Sequence, residues 1–270
     1  MDLDQWLISA KSTLDRSNVD TPNLDAEVLL AHYLKKDRSW LHANSNHTLQ
    51  RSDLRIVNSW IDRRCQHEPI AYITGLKEFY GRVFYVSEHT LVPRPETESI
   101  ITILKSLSPK KIIDIGTGTG CIAVTAKLEL ARCRVIATDI SQTALDTAKK
   151  NADSHSADIT FVHSDLLSRI GQGDIEGSVI CANLPYLPNN YAVNKPVKHE
   201  PEIALYSGDD GLDHFRRLFS SLFKLEQLEA SPRYIITESL LSQHDELEKI
   251  AQKYGFTLTD KNGLILLFRK

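Results

Sequence analysis

The chain is most informative first in what it lacks. No apolar run among its 270 residues is long enough to cross a bilayer, so no membrane-spanning helix is expected. There is no excess of positive charge. The 32 Lys and Arg residues face 35 Asp and Glu, a net charge of −3, so the broad basic field that dominates nucleic-acid binding is missing. Cysteine is scarce. Cys65, Cys121, Cys133 and Cys181 have no metal-ligand spacing, and Cys121 and Cys181 fall in elements expected to be buried. Reduced thiols in a cytosol are the simple expectation. The ten histidines are scattered, and His42 and His47 do not share a helical face, so no metal site is expected. Met1-Asp2-Leu3-Asp4 is acidic, without the basic start and apolar stretch of a signal peptide, which points to the cytoplasm. Internal repeats and low-complexity segments are absent.

What is present divides the chain. Leu3, Trp6, Leu7, Ala10 and Leu14 recur at helical spacing. Thr21-Pro22 is a cap followed by proline at a first helical position, and the helix behind it carries Leu24, Val28, Leu29 and Leu34. A third helix over about Ser52–Gln66 carries Leu54, Val57, Trp60 and Ile61. These predict a small helical bundle over residues 1–75. Aromatic and β-branched residues then run from Phe79 to Val86 around Tyr80-Gly81, which predicts a β-hairpin linker within residues 76–92.

From residue 93 to 270 strands and helices alternate. Strands are expected at Lys111–Ile115, Arg134–Thr138, Thr160–His163, Ser178–Ala182, Tyr234–Glu238 and Leu264–Phe268, with helices over about Cys121–Leu130, Thr143–Ala152, Leu212–Leu222 and Gln243–Tyr254. That is an α/β fold with a doubly wound, Rossmann-like sheet. The first strand runs into Gly116-Thr117-Gly118-Thr119-Gly120. Glycines let the backbone approach a ligand, and the helix that follows offers N–H groups. The spacing is G-x-G-x-G, not the dinucleotide G-x-G-x-x-G. Asp139 ends the second strand, where a carboxylate accepts from ribose hydroxyls, and Asp165 follows the third, placed for an adenine edge. Each aspartate alone reads equally as a loop cap. As a set at successive strand ends they suggest a nucleoside ligand without a pyrophosphate.

The fourth strand runs into Asn183-Leu184-Pro185-Tyr186. The asparagine side chain offers an acceptor and two donors. Leu184, before proline, is biased to extended backbone, so its carbonyl stays out of a helix. Tyr186 offers a flat face. Two acceptors and a ring suit a planar –NH2 group. Taken alone, the same four residues read as a strand end, a turn and a packed ring.

These residues resemble the family of peptide chain release factor N5-glutamine methyltransferases. The resemblance runs along most of the chain. It is carried by Leu24-Asp25-Ala26-Glu27-Val28-Leu29-Leu30, by Arg64 with Glu68-Pro69-Ile70-Ala71-Tyr72-Ile73-Thr74-Gly75, and by Phe79-Tyr80-Gly81. It continues in Leu91-Val92-Pro93-Arg94-Pro95-Glu96-Thr97-Glu98, the Gly loop, Asp139 and Glu200-Pro201-Glu202-Ile203-Ala204-Leu205. Three positions depart from the family pattern: Leu184 stands for a usual proline, Leu240 for a glycine and Leu266 for an arginine.

The resemblance implies a class I methyltransferase sheet and S-adenosylmethionine as cofactor. Gly116, Thr117, Gly118, Thr119, Gly120 and Asp139 would bind it, with Asp165 and Leu166 at the adenine and Asn183 beside it. Asn183, Leu184, Pro185 and Tyr186 would hold and orient the substrate. That substrate would be the glutamine of the Gly-Gly-Gln loop of class I release factors, docked with help from the helical module. A monomer without metal, membrane or direct nucleic-acid contacts is expected. The alternatives are an adenine N6-methyltransferase, a glutamine methyltransferase acting on a ribosomal protein, and a cofactor-binding scaffold without activity. Asn-Leu-Pro-Tyr is also similar to the motif of ribosomal-RNA adenine dimethyltransferases.

Overall fold

The computed structural model describes residues 1–227 and 230–270, and the chain divides into two compact units. The first comprises Met1–Leu76 and the returning segment Val193–His199. Its helices are α1 (Leu3–Arg16), α2 (Pro22–Leu34), α3 (Arg38–Ala43), α4 (Arg51–Cys65) and α5 (Ile70–Thr74). The Asp2 carboxylate caps α1 by accepting from Gln5 N–H, and Asp37 caps α3 by accepting from Trp40 N–H. The periodicity that announced α1, α2 and α4 fails for α3 and α5, which span too few residues to repeat a pattern. Leu3, Trp6, Leu29, Leu30, Leu41, Val57 and Ile61 share one core. Beside it the buried pair Asp25–Arg64 closes at 2.6 Å, and Arg64 also donates to the Glu68 carbonyl.

The second unit begins at Lys77, within the hairpin of β1 (Leu76–Phe79) and β2 (Arg82–Tyr85). Its turn residues Tyr80 and Gly81 have φ of 52° and 70°, both left-handed, as a tight two-residue turn requires. Then follow α6 (Glu98–Leu107), β3 (Lys111–Ile115), α7 (Cys121–Glu129), β4 (Arg134–Asp139), α8 (Gln142–Ser154), β5 (Thr160–His163) and α9 (Gln172–Ile175). The chain ends in β6 (Val179–Ala182), α10 (Asp213–Glu226), β7 (Tyr234–Glu238), α11 (His244–Lys253), β8 (Thr257–Asn262) and β9 (Ile265–Arg269).

Strands β3 to β9 form one sheet in the order β5-β4-β3-β6-β7-β9-β8. Its first five members are parallel, and β9 runs antiparallel between β7 and β8. Successive side chains sort to opposite faces. Ile113, Ile180 and Ile235 pack with Phe215 and Phe219 of α10, whereas Ile112, Val179 and Ile236 pack with Ile100 of α6 and Ile122 of α7. The connections leave in opposite directions from the β3–β6 pair, which opens a crevice at the carboxyl ends of those strands.

The sequence patterns place six of the seven strands. β8 escaped them because it is a polar edge strand, exposed along nearly its whole length. α6 was also missed, although Ile100, Ile101, Ile103 and Leu104 are buried. Leu266 is fully buried in β9 opposite Thr237 and Lys261, so the departure there fills the core and the sheet is complete to its edge.

Candidate active site

Residues from the carboxyl ends of β3, β4, β5 and β6 line one cleft in the second unit. Gly116, Thr117, Thr119, Asp139, Asp165, Leu166, Asn183, Leu184 and Pro185 all face it, joined by Arg94, Thr97, His214 and Arg217. Gly118, Gly120 and Tyr186, named from the sequence with them, are not on its wall.

The glycine loop is shaped by its own hydrogen bonds. Thr117 N–H donates to the Thr138 carbonyl (2.8 Å), and its hydroxyl donates to Asp114 Oδ2 (2.6 Å). Gly118 N–H donates to Asp139 Oδ2 and Ser141 N–H to Oδ1, both at 2.9 Å, so backbone donors lock that carboxylate at the end of β4. Burial pushes the Asp139 carboxyl up, against those same N–H groups. Burial likewise lifts Asp114, under the loop, to about 7. Gly120, at φ 78°, starts α7. A Cβ there would stand 3.0 Å from Ala148 Cβ, so the residue lets α7 and α8 approach.

Asp165 is engaged by a cation. Its carboxylate meets Arg217 of α10 at 2.5 Å, with both side chains about half exposed. One turn earlier His214 N–H donates to Ser207 Oγ, which also lies 2.5 Å from His214 Nδ1. Leu166 has φ 48°, an uncommon backbone for a leucine and a point of local strain.

The strand-end motif owes its orientation to residues the sequence reading did not single out. Ala182 and Thr237 are register partners, so Asn183 and Glu238 leave β6 and β7 side by side. Asn183 Nδ2 donates to Glu238 Oε2 (3.2 Å) and to Thr97 Oγ1 (3.3 Å). Thr97 Oγ1 donates to the same Glu238 oxygen (2.7 Å), and Tyr186 Oη donates to Oε1 (3.2 Å). Glu238 is 1% exposed, and burial raises its pKa, with Thr97 and Tyr186 opposing. The Tyr186 hydroxyl is raised too, by burial and then by the Glu238 charge. The Asn183 –NH2 is thus turned toward Glu238 and Thr97, and Oδ1 takes no hydrogen bond from the described residues.

The surrounding backbone is held as firmly. Gln243 Nε2 donates to the carbonyls of Tyr186 (2.7 Å) and Asp210 (2.8 Å). Leu184, 3% exposed, packs its side chain over Gly116, where a Cβ would lie 3.2 Å from Leu184 Cδ2. Arg94 pairs with buried Glu200 at 2.5 Å, and Val92 N–H donates to the same carboxylate. Two runs far apart in sequence are thereby joined. Burial raises Glu200, against the Arg94 charge.

The signal for these supporting residues was present in part. Glu238 is an acid that ends an apolar strand, as Asp139 is. Thr97, Arg94 and Glu200 sit inside the runs that carry the family resemblance. Among the described residues no group of His, Cys, Asp or Glu is arranged to hold a metal ion, and no helix is long and apolar enough to cross a membrane.

Comparison with known proteins bears on the same residues. Residues 5–75 match the PrmC N-terminal domain, and residues 95–199 match the Methyltransferase small domain. The chain is 40% identical to the release factor glutamine methyltransferase of Koribacter versatilis, over 81% of this chain and 80% of that one. It is 35% identical to the release factor glutamine methyltransferase of Buchnera aphidicola, over 95% and 92%. It is 33% identical to the bifunctional methyltransferase of Rickettsia typhi, over 94% of this chain, and spans about half of that protein's length (53%). Among solved structures, the hMettl16 catalytic domain bound to a MAT2A 3'UTR hairpin shares the fold. Its TM-score is 0.56 at 15% identity, over 88% of this chain and 89% of that one.

Proposed function

Because the chain belongs to the release factor glutamine methyltransferase family, we propose that it carries a methyl group from S-adenosylmethionine to the side-chain amide nitrogen of a protein glutamine. The glutamine is that of the Gly-Gly-Gln loop of class I peptide chain release factors, and the modification supports translation termination in the cytoplasm. One observation carries the reading of the site. Asn183, on a cleft lined by the glycine loop and Asp139, turns its –NH2 to Thr97 and Glu238, which leaves its oxygen free as an acceptor.

The residues fit the cofactor. Gly116, Thr117 and Thr119 present the loop to the cleft, and Gly118, at φ 54° with no atom within 4 Å of where a Cβ would lie, leaves the loop backbone uncrowded. The loop Gly116–Gly120 would hold the cofactor, with Asp139 at its ribose and Asp165 and Leu166 at its adenine. When bound, it supplies a methyl group activated by a sulfonium charge.

The protein's task is alignment. An amide nitrogen is a weak nucleophile because its lone pair is delocalised into the carbonyl. Asn183 Oδ1 and the Leu184 carbonyl would accept the two amide hydrogens, turn the lone pair toward the methyl carbon and stabilise positive charge as it grows on nitrogen. Pro185 keeps the Leu184 carbonyl out of a helix. Tyr186, tethered through its hydroxyl, would face the amide plane. The methylated nitrogen is acidic and releases its proton without a dedicated base.

The test is methyl transfer from labelled S-adenosylmethionine to a purified class I release factor beside its Gly-Gly-Gln glutamine-to-alanine variant. Label on the first alone is expected. Equal label on both moves the target elsewhere on that protein. Label found instead on ribosomal protein or RNA overturns the assigned substrate.

A further inference from the structure

Three hydrogen-bond donors converge on one buried carboxylate behind Asn183. Thr97 Oγ1, Asn183 Nδ2 and Tyr186 Oη all reach Glu238. An ionised carboxylate only accepts hydrogen bonds. Thr97 gives its single hydrogen to Glu238, so it meets the Asn183 –NH2 with a lone pair. A reversed Asn183 would set its carbonyl oxygen against both the carboxylate and that lone pair. From this geometry we infer that Glu238 is the positioning residue that sets the polarity of the site. It obliges Asn183 to show its oxygen to the substrate, so that the site selects an –NH2 acceptor and refuses a carboxylate of the same shape. The inference deepens the proposed function and rests on it in taking the acceptor to be a glutamine amide.

Chemical selection follows from the sign of the groups. A glutamine side chain presents two hydrogens to two acceptors. A glutamate side chain presents lone pairs to the same acceptors, with the Glu238 charge behind them, and finds no donor. A protonated Glu238 gains a hydrogen to donate. Asn183 is then free to turn its –NH2 outward, and the preference is lost.

The groups that act on Glu238 come from several elements. Arg94 favours the ionised form, Glu96 opposes it, and Tyr186 and Thr97 donate to it. The Cys121 thiol, on α7, also feels its charge and is itself pushed up to about 12 by burial. Because burial raises Glu238, its protonation falls above the ordinary carboxylate range. Turnover is therefore expected to decline as pH falls through that range.

The experiment uses the full chain with S-adenosylmethionine and compares wild type with Glu238→Gln, Thr97→Val and Thr97→Ser. Calorimetry measures binding of a Gly-Gly-Gln peptide and its Gly-Gly-Glu counterpart, and labelled transfer gives kcat and KM across pH. Wild type is expected to bind the amide peptide at least about tenfold more tightly, the size of one or two hydrogen bonds. Glu238→Gln keeps the shape without the charge. It should narrow that preference, lower kcat about tenfold, leave the cofactor KM within about twofold, and flatten the acidic limb. Thr97→Val should lower kcat by about tenfold, and Thr97→Ser should recover most of that loss. Equal binding of the two peptides by wild type overturns the inference. So does an acidic limb that persists unchanged in Glu238→Gln, or a Thr97→Val enzyme as fast as Thr97→Ser. Should Glu238→Gln not fold, the peptide preference of wild type and the Thr97 pair decide. Amide preference in binding without label on the release factor overturns the proposed substrate and leaves the polarity of Glu238 standing.

Discussion

Asn183 and the glycines of the loop separate chemistry from architecture at the level of single side chains. Asn183 Oδ1 is the acceptor proposed for the reacting amide, whereas the loop and Asp139 are proposed to hold the cofactor. Asn183→Ala is therefore expected to abolish turnover while changing cofactor affinity by less than about tenfold, roughly 1.4 kcal/mol. Calorimetric cofactor titration beside single-turnover transfer checks this, and a parallel fall in both would remove the assigned role. Gly118 and Gly120 both hold left-handed backbone but differ in surroundings. Alanine at Gly118 meets no atom within 4 Å, so only backbone strain of about 1–2 kcal/mol is expected. Alanine at Gly120 must also displace α8, where Ala148 Cα would be 3.2 Å away. Its cost should exceed that of Gly118→Ala by about 1–3 kcal/mol in urea unfolding. Equal costs would mean that α8 yields freely.

Between elements, one fully buried residue couples the hairpin to the glycine loop. Asn151 of α8 accepts from Tyr85 N–H (2.7 Å) and donates to the carbonyls of Tyr85 (2.9 Å) and Thr119 (2.8 Å). Asn151→Ala leaves these buried backbone groups without that partner, at about 1 kcal/mol or more each, so a loss of about 2–4 kcal/mol is expected. Release of the Thr119 carbonyl should also weaken cofactor binding several-fold. Destabilisation with unchanged affinity would make Asn151 a scaffold residue alone. Nothing in the sequence marks Asn151, which sits in a helix among lysines and alanines. The contrast explains what was legible. The glycine loop, Asp139 and Asn183-Leu184-Pro185-Tyr186 are local signals, each a run of residue types at the end of an apolar strand. Thr97 and Glu238 lie 86 and 55 residues from Asn183, and only the turn before α6 and the β6–β7 register bring them to it. β8 was illegible for the opposite reason, since a polar edge strand has no buried face to impose a pattern.

On the scale of the whole chain, each compact unit has its own core, and all three tryptophans, Trp6, Trp40 and Trp60, lie in the first. Indole fluorescence therefore reports that unit alone, while far-ultraviolet circular dichroism reports both. Arg64 and Asp25 are 8% and 3% exposed, so Arg64→Ala leaves a buried carboxylate with the Thr21 hydroxyl but without its cation, and frees the Glu68 carbonyl. Breaking such a pair costs about 3–5 kcal/mol, a large share of the stability of a small folded unit. In urea the indole transition of Arg64→Ala should move to much lower concentration, and the dichroism curve should split in two. The cleft is lined by residues of the second unit only, so calorimetric affinity for S-adenosylmethionine should persist under conditions where the first unit has unfolded. Methylation of an intact release factor should fall with the indole signal if the helical unit helps dock that protein, as the family resemblance implies. A variant whose two probes shift together would show the chain to unfold as one cooperative body. A variant that still methylates the release factor at the wild-type rate with its first unit unfolded would remove the docking role and leave recognition to the cleft alone.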